Sequence, residues 1–138
     1  MTMLNLADAA LATQAELHTA ISDSDLLRIT LGDPVRAFDE TPEDPIYPYL
    51  TYGDMRSTDT SADDAPQSTH QITLHVWSQY EGRAEVLALI RTVADALDAA
   101  LPHRVLPLYV DAIRARDGIT FHGLLRLSIT RIAPNISQ

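Results

Sequence analysis

The stretch THQITLHVWSQYEGRAEVLALIRTVADALDAAL, residues 69–101, decides the fold because its apolar period changes from two residues to about 3.6 within it. The part from Thr69 to Trp77 alternates in the manner of a half-buried strand. The later part repeats apolar residues on one helical stripe: Val86, Ile90, Val93, Leu97 and Leu101. Ser78 and Glu81 have the spacing of a capping box, so we expect the helix to begin at Ser78 and to end before Pro102.

A second strand and a polar loop precede this stretch. Ile46–Met55 is rich in tyrosine, which suits a strand, and Pro48 places it at a strand start or an edge. Arg56–Ser68 is acidic and has no large apolar side chain apart from its flanks, so it cannot bury itself. We therefore predict a hairpin with a long, flexible acidic loop at about residues 56–68.

The secondary-structure signals are weaker in the N-terminal part of the chain. Leu4–Ile21 carries apolar residues at helical spacing and predicts a helix that stops near Asp23. Leu26–Leu31 is short, and we interpret it as a strand or an irregular segment closed by a turn. Asp33–Asp44 is acidic and interrupted by proline, which predicts an exposed loop.

The C-terminal part predicts an antiparallel strand pair, Val105–Ile113 and Ile119–Ile132, joined through Asp117 and Gly118. The element order is then helix, two strands, helix, two strands. This order predicts an α+β fold with an antiparallel or mixed sheet of about four strands and two main helices packed on one side. A chain of 138 residues has room for one hydrophobic core, so we expect a single domain over residues 1–138.

Composition restricts the possible chemistry. The formal net charge is −9, which disfavours a protein that grips nucleic acid through phosphate contacts. The chain has no cysteine, which excludes thiol nucleophiles and thiolate zinc sites. No apolar run is long enough to span a bilayer, and acidic residues near the N-terminus disfavour a signal peptide, so we expect a cytoplasmic origin without membrane contact.

No catalytic or metal-binding pattern emerges. The five histidines lack the i, i+2 or i, i+4 spacing of a local metal site; they are His18, His70, His75, His103 and His122. His70 and His75 differ by an odd number, so they should lie on opposite faces of one strand. We expect no cofactor and no metal, and a small metal-dependent enzyme is the weakest alternative.

Five aromatic residues cluster around the first two predicted strands: Tyr47, Tyr49, Tyr52, Trp77 and Tyr80. Aromatic side chains at such positions most often pack across strands. Part of this set can instead anchor a protein interface, because tyrosine and tryptophan supply much of the energy of buried contacts. Only the second interpretation favours a binding protein.

The chain resembles the tail terminator, or tail-completion, proteins of long-tailed phages, prophages and gene transfer agents. The resemblance starts with Pro48, Tyr49 and Leu50 in a strand and continues, after a polar gap, from Ile72 to Trp77 and Ser78 and into a helix led by Gly82. The late turn supports it with Arg116, Asp117 and Gly118. It covers nearly the whole chain and is weakest before Pro48, where Asp33–Asp44 matches only as an acidic connection that contains proline, and it includes no catalytic motif.

The resemblance implies a ring subunit, expected as a hexamer, at the head-proximal end of a tail tube. Such a ring ends tube polymerisation, joins the tube to the head connector or adaptor and leaves a channel for DNA. Its partners would be further copies of itself, the tube protein and the connector, with assembly in the bacterial cytoplasm. An acidic lumen would let DNA pass without specific binding. The alternative within assembly is another neck or head-completion adaptor protein.

A ring of identical subunits needs two different complementary surfaces on each subunit. We expect the loop at residues 56–68 to order against a neighbouring subunit or the tube. The predicted interface residues are Arg56, Asp59, Asp63, Asp64 and Tyr80.

Overall fold

A computed structural model describes residues 5–132, which form three helices and five strands in one α+β fold. The helices are α1 Leu6–Ser22, α2 Asp25–Leu31 and α3 Ala84–Ala100, and the strands are β1 Ala37–Phe38, β2 Tyr49–Asp59, β3 Gln67–Ser78, β4 Arg104–Arg114 and β5 Phe121–Ile132. The predicted fold class is confirmed. The sheet has one more strand than expected because Ala37 and Phe38 pair with β2.

The sheet order is β1-β2-β3-β5-β4, with β1 parallel to β2 and all other neighbours antiparallel. The order of the strands in the sheet therefore differs from their order along the chain. β5 lies between β3 and β4, so β4 is the outer strand on one side. The sheet is mixed, as expected. Its edge β4 was recognisable in the sequence, whereas the other edge, β1, lies within Asp33–Asp44, for which the prediction of a loop without a strand is wrong.

Helices α1 and α3 pack on the same face of the sheet. The apolar side chains of β3 and β5 that point to this face form the core with both helices; they include Ile72, Leu74, Val76, Leu125, Leu127 and Ile129. Gly123 brings α3 close, because a Cβ there would lie 2.8 Å from Ile90 Cδ1 and 3.1 Å from Val86 Cβ. The helix can approach the sheet this closely only where the strand residue beneath it has no side chain.

The predicted second element is wrong in type. Residues 25–31 form the helix α2, in which Leu27 and Leu31 are fully buried. Ser24 caps it, because its Oγ accepts a hydrogen bond from the Leu27 backbone N–H at 3.3 Å. A serine followed by two leucines four residues apart is a helix signal. The signal is weak here because the segment has only seven residues.

The predicted helix start at Ser78 is also wrong, because α3 begins at Ala84 after an Arg83 cap that has no side-chain hydrogen bond. Ser78 lies at the end of β3, where it is fully buried. Its hydroxyl donates to Glu85 Oε1 at 2.6 Å and accepts from the Tyr80 backbone N–H at 3.0 Å. Ser78 therefore ties the strand-to-helix connection to the first turn of α3, with Glu85 in the place that Glu81 was expected to take.

Candidate assembly surfaces

The hairpin between β2 and β3 is more ordered than the sequence suggests. Both strands extend into the segment predicted as loop, so that only residues 60–66 lie between them. The Asp59 carboxylate accepts from the Ser61 backbone N–H at 2.9 Å, and Ala62 and Ala65 bond each other across the tip. The predicted length of the loop is therefore wrong, and its mobility stays a prediction.

The tip carries exposed acidic groups on a tight turn. Asp63 has a φ of 52°, a left-handed conformation that Asp and Asn adopt more readily than most residues. Hydrogen bonds from Ser61 hold the pKa of Asp59 below its ordinary value. Asp59, Asp63 and Asp64 are thus three neighbouring exposed carboxylates at one end of the sheet.

The predicted interface residues divide into two groups in the fold. Arg56 and Asp59 lie on β2, and Asp63 and Asp64 lie in the turn that follows, so these four share one end of the sheet. Tyr80 follows β3 at the opposite end and is 65% exposed. The structure therefore brings the first four residues together and places Tyr80 on a separate surface.

The outer strand β4 is an exposed apolar surface that the sequence interpretation missed. Nine of its eleven residues are exposed. Five large apolar side chains are each between 43% and 51% exposed: Leu106, Leu108, Tyr109, Val110 and Ile113. A long, apolar edge strand is a surface that proteins normally cover or interrupt, because it invites pairing with another chain. The missed signal is the absence of polar alternation in RVLPLYVDAIR.

The sheet face opposite the helices carries a stack of aromatic and imidazole rings. Trp77 lies flat on His122, with ring centroids 3.8 Å apart, and Tyr49 stacks on the other side at 6.1 Å. His75 Nδ1 and His122 Nε2 are 2.7 Å apart in a hydrogen bond. The predicted cross-strand packing of the aromatic residues is confirmed for Tyr49 and Trp77.

The two stacked histidines are held neutral. Burial lowers the pKa of His122 to about 4, and the nearby His75 adds to this effect. Burial also lowers the pKa of His75, although the Asp54 carboxylate opposes the change. A hydrogen bond between two imidazoles needs one donor and one acceptor nitrogen, which agrees with a neutral pair.

An irregularity in β2 lies beside this stack. The pairing register of β2 and β3 shifts between Tyr52 and Met55, and a Cβ on Gly53 would lie 2.4 Å from His75 Nε2. The Arg126 guanidinium spans β3 and donates to Thr73 Oγ1 at 2.7 Å and to the Asp54 carbonyl at 3.4 Å. The glycine is therefore required for His75 to approach the backbone of β2.

His70 lies on the helix-packed face, opposite to His75, as the odd spacing predicted. It is fully buried, and both ring nitrogens have hydroxyl partners, Ser57 Oγ at 2.7 Å and Ser68 Oγ at 2.9 Å. Burial is the main cause that lowers its pKa. His70 is thus a neutral core residue with both nitrogens bonded.

A polar cluster fastens α1 to the C-terminal part of the sheet. Glu16 accepts from Arg131 Nη1 at 2.6 Å and from His103 Nε2 at 2.8 Å. Burial opposes ionisation of Glu16, but the hydrogen bonds and positive charges of Arg131 and His103 outweigh it and hold its pKa below the ordinary value. This cluster has a structural role, because it joins parts of the chain that are far apart in sequence.

Within residues 5–132, no three histidine, aspartate or glutamate side chains lie together in a way that could hold a metal ion. No helix in the same range is long and apolar enough to cross a membrane. The surfaces that remain as functional candidates are the acidic hairpin tip, the apolar edge strand and the exposed Tyr80.

These features define the class: a small α+β subunit whose exposed sheet edge and acidic tip suit contact with other proteins. The chain belongs to the tail completion family, because the family model described as "Tail completion protein gp17" matches residues 15–131. It is therefore a structural component of a phage-type tail. The resemblance drawn from the sequence is confirmed.

A solved structure agrees with this assignment at the level of the fold. It is described as the virion of a native gene transfer agent particle, and one of its chains matches with a TM-score of 0.68 and 19% identity. The match covers 90% of this chain and 97% of that chain. No curated protein matches the sequence.

Proposed function

We propose that this chain is the ring subunit that caps the head-proximal end of a tail tube. The ring ends tube polymerisation and offers its other side to the head connector. The observation that supports this most is the family match over residues 15–131 on a fold with a long, exposed apolar edge strand. In a protein that functions as a monomer, we would expect such an edge strand to be covered or interrupted, because an exposed apolar edge pairs with other chains.

The charge of the chain fits a ring through which DNA moves. A formal net charge of −9 gives the assembled ring many carboxylates, and these repel the phosphate backbone. DNA would then pass through the channel without specific binding. The proposal includes a hexamer assembled in the bacterial cytoplasm, and it assigns no catalytic step to any residue.

The acidic hairpin tip is our proposed contact to the tube or to the neighbouring subunit. Its carboxylates lie at the end of β2, at Asp59, and in the turn that follows, at Asp63 and Asp64, and Arg56 lies nearby on β2. Tyr80 lies at the other end and would meet a different component. This separation suits a subunit that touches one partner on each side of the ring.

Loss of the gene separates the proposal from its alternative, a neck or head-completion adaptor. Without a terminator, tube subunits continue to add, so electron micrographs should show overlong tubes that are not attached to heads. Supplying the wild-type chain should restore uniform tubes. Tubes of normal length that merely fail to join heads would contradict termination and support the adaptor function.

A further inference from the structure

We propose that neighbouring copies of this chain join edge to edge, with β4 of one copy pairing antiparallel to the second half of β2 of the next. This inference rests on the proposed ring and specifies which surfaces build it. Both edges are open within residues 5–132. β4 has no strand on its outer side, and β1 covers β2 only at Leu50 and Thr51.

The directions of the strands suit this pairing. Each strand in the series β2, β3, β5, β4 is antiparallel to the next, so β2 and β4 run in opposite directions. A rotation about an axis roughly along the strands keeps every direction. β2 of the next copy then lies antiparallel to β4, and the hydrogen-bonded sheet continues from subunit to subunit. Such a contact is heterologous, which is the kind that closes into rings of more than two copies.

Residues on β2 and on β4 also lie at matching positions along the strand direction. Arg56 on β2 and Leu106 on β4 belong to one row that runs across the sheet through Gln71 and Ser128. Thr58 and Arg104 belong to another row, through Thr69 and Thr130. The two edges thus present exposed side chains at the same height, so neighbouring copies can pair without a large shift along the strands.

Charge favours this pairing over a two-fold contact between two β4 strands. β4 has Arg104 and Arg114 at its ends and one acidic residue, Asp111. Two β4 strands paired antiparallel about their centre would bring Arg104 of each copy to Arg114 of the other, and like charges opposite each other destabilise a strand pair. The open half of β2 has the opposite balance.

That half of β2 carries two acidic residues and one basic residue: Asp54, Asp59 and Arg56. At equal height, Asp59 of one copy and Arg104 of the next lie at the same end of the joined edges but on opposite faces of the sheet, because Asp59 is one residue from the row of Thr58 and Arg104. The exposed apolar side chains of β4 at this level, Leu106 and Leu108, would lose water contact in the same step. The β2 edge is therefore the better partner for β4.

Cysteine cross-linking tests the pairing cleanly because the natural chain contains no cysteine. The test variant carries Arg56→Cys and Leu106→Cys, both at exposed positions, and each single substitution is a control. Within one copy the two positions are three strand spacings apart, about 14 Å. A bismaleimide with a spacer shorter than that distance should join neighbouring copies in preference to one copy with itself.

Edge-to-edge pairing predicts a ladder of linked species from the double variant, ending at the copy number of the ring. A mixture of the two single variants should give linked dimers only, since each copy then has one attachment point. Each single variant alone should stay unlinked. Circular dichroism and native mass spectrometry of every variant establish that it folds and assembles before linking.

Three other results would overturn the pairing. Rings without a ladder would show that the edges do not meet, while the ring itself would stand. A dimer from a further single variant, Tyr109→Cys, would show a two-fold β4 contact, because Tyr109 lies on β4 at the centre of that pairing. A wild-type chain that stays monomeric up to millimolar concentration would contradict both the pairing and the proposed ring.

Discussion

Trp77 and His122 lie face to face across β3 and β5, with ring centroids 3.8 Å apart and ring planes within 7° of parallel. The two residues face each other in the pairing register, so the stack fixes how these strands align. It also removes much of the His122 ring from water, which lowers its pKa to about 4. Stability should therefore depend on the charge of this ring.

Acid should weaken the fold through His122. An unfolded histidine binds a proton near pH 6.5, whereas the folded one does so near pH 4, so the unfolded state takes up more protons between these values. The contribution of His122 is fully present above pH 6.5 and is lost as the pH falls toward 4. Because the ring keeps some contact with water, we expect a loss of about 1–2 kcal/mol in the free energy of unfolding.

Urea unfolding at pH 7 and pH 5 measures this effect, in a range where the carboxylates change little. The variant His122→Gln should show a smaller difference between the two pH values than the wild type. Burial also lowers the pKa of His70, but His70 is present in both the wild type and the variant. Its contribution to the pH dependence of stability therefore cancels when the two are compared. An equal pH dependence in the two chains would show that His122 is not responsible.

Gly53→Ala should destabilise the sheet by about 1–3 kcal/mol. The new Cβ would lie 2.4 Å from His75 Nε2 and 3.0 Å from the Thr73 carbonyl oxygen, so the imidazole or the strand must move. Thr58→Ala, at an exposed position of the same strand, is the control and should change stability by less than about 0.5 kcal/mol. Thermal unfolding compares the two; equal melting temperatures would refute the close approach.

Glu16→Gln should lower the free energy of unfolding by about 1 kcal/mol, because it weakens the contacts to Arg131 and His103 and leaves the arginine without its carboxylate. Asp95→Asn, at an exposed position on α3, removes the same charge without known partners among the described residues and should have little effect. Chemical unfolding at pH 7 measures both. An effect no larger than that of Asp95→Asn would mean that the cluster does not hold α1.

The acidic tip should matter for assembly and not for folding. Asp63→Asn combined with Asp64→Asn removes two charges while keeping a residue type that tolerates the left-handed φ of Asp63. We expect an unchanged melting temperature and about tenfold fewer complete particles, equivalent to about 1.4 kcal/mol of contact energy. Particle counts by electron microscopy give the readout, and the charge-matched control is Asp95→Asn combined with Asp98→Asn, two exposed positions on α3. Normal particle numbers would exclude the tip as a contact.

Much of the fold could be predicted because its strongest signals are local. The alternation from Ile72 to Val76 and the stripe from Val86 to Leu97 each set one element and its buried face. The hairpin tip was predicted too long because polar residues such as Ser57 and Thr58 still pair with β3, where the strand ladder satisfies their backbones. Composition describes side chains and does not show this backbone pairing.

The assembly surfaces were harder to predict because they depend on sheet order. β4 is an edge strand only because β5 is placed between it and β3, which no local pattern shows. The contact between His75 and His122 has the same origin, since it joins positions 47 residues apart. Arg56 and Asp59 were selected as loop residues and instead lie on an open strand edge, which gives them a physical role in the proposed pairing.

Cryo-electron microscopy of intact particles tests the central claim most directly, through the position and copy number of this chain. The ring proposal predicts a closed ring, six copies if the expected hexamer holds, between the last layer of the tail tube and the head connector. Absence of the chain from the particle, or its presence only at another position such as the distal end of the tail, would contradict the account.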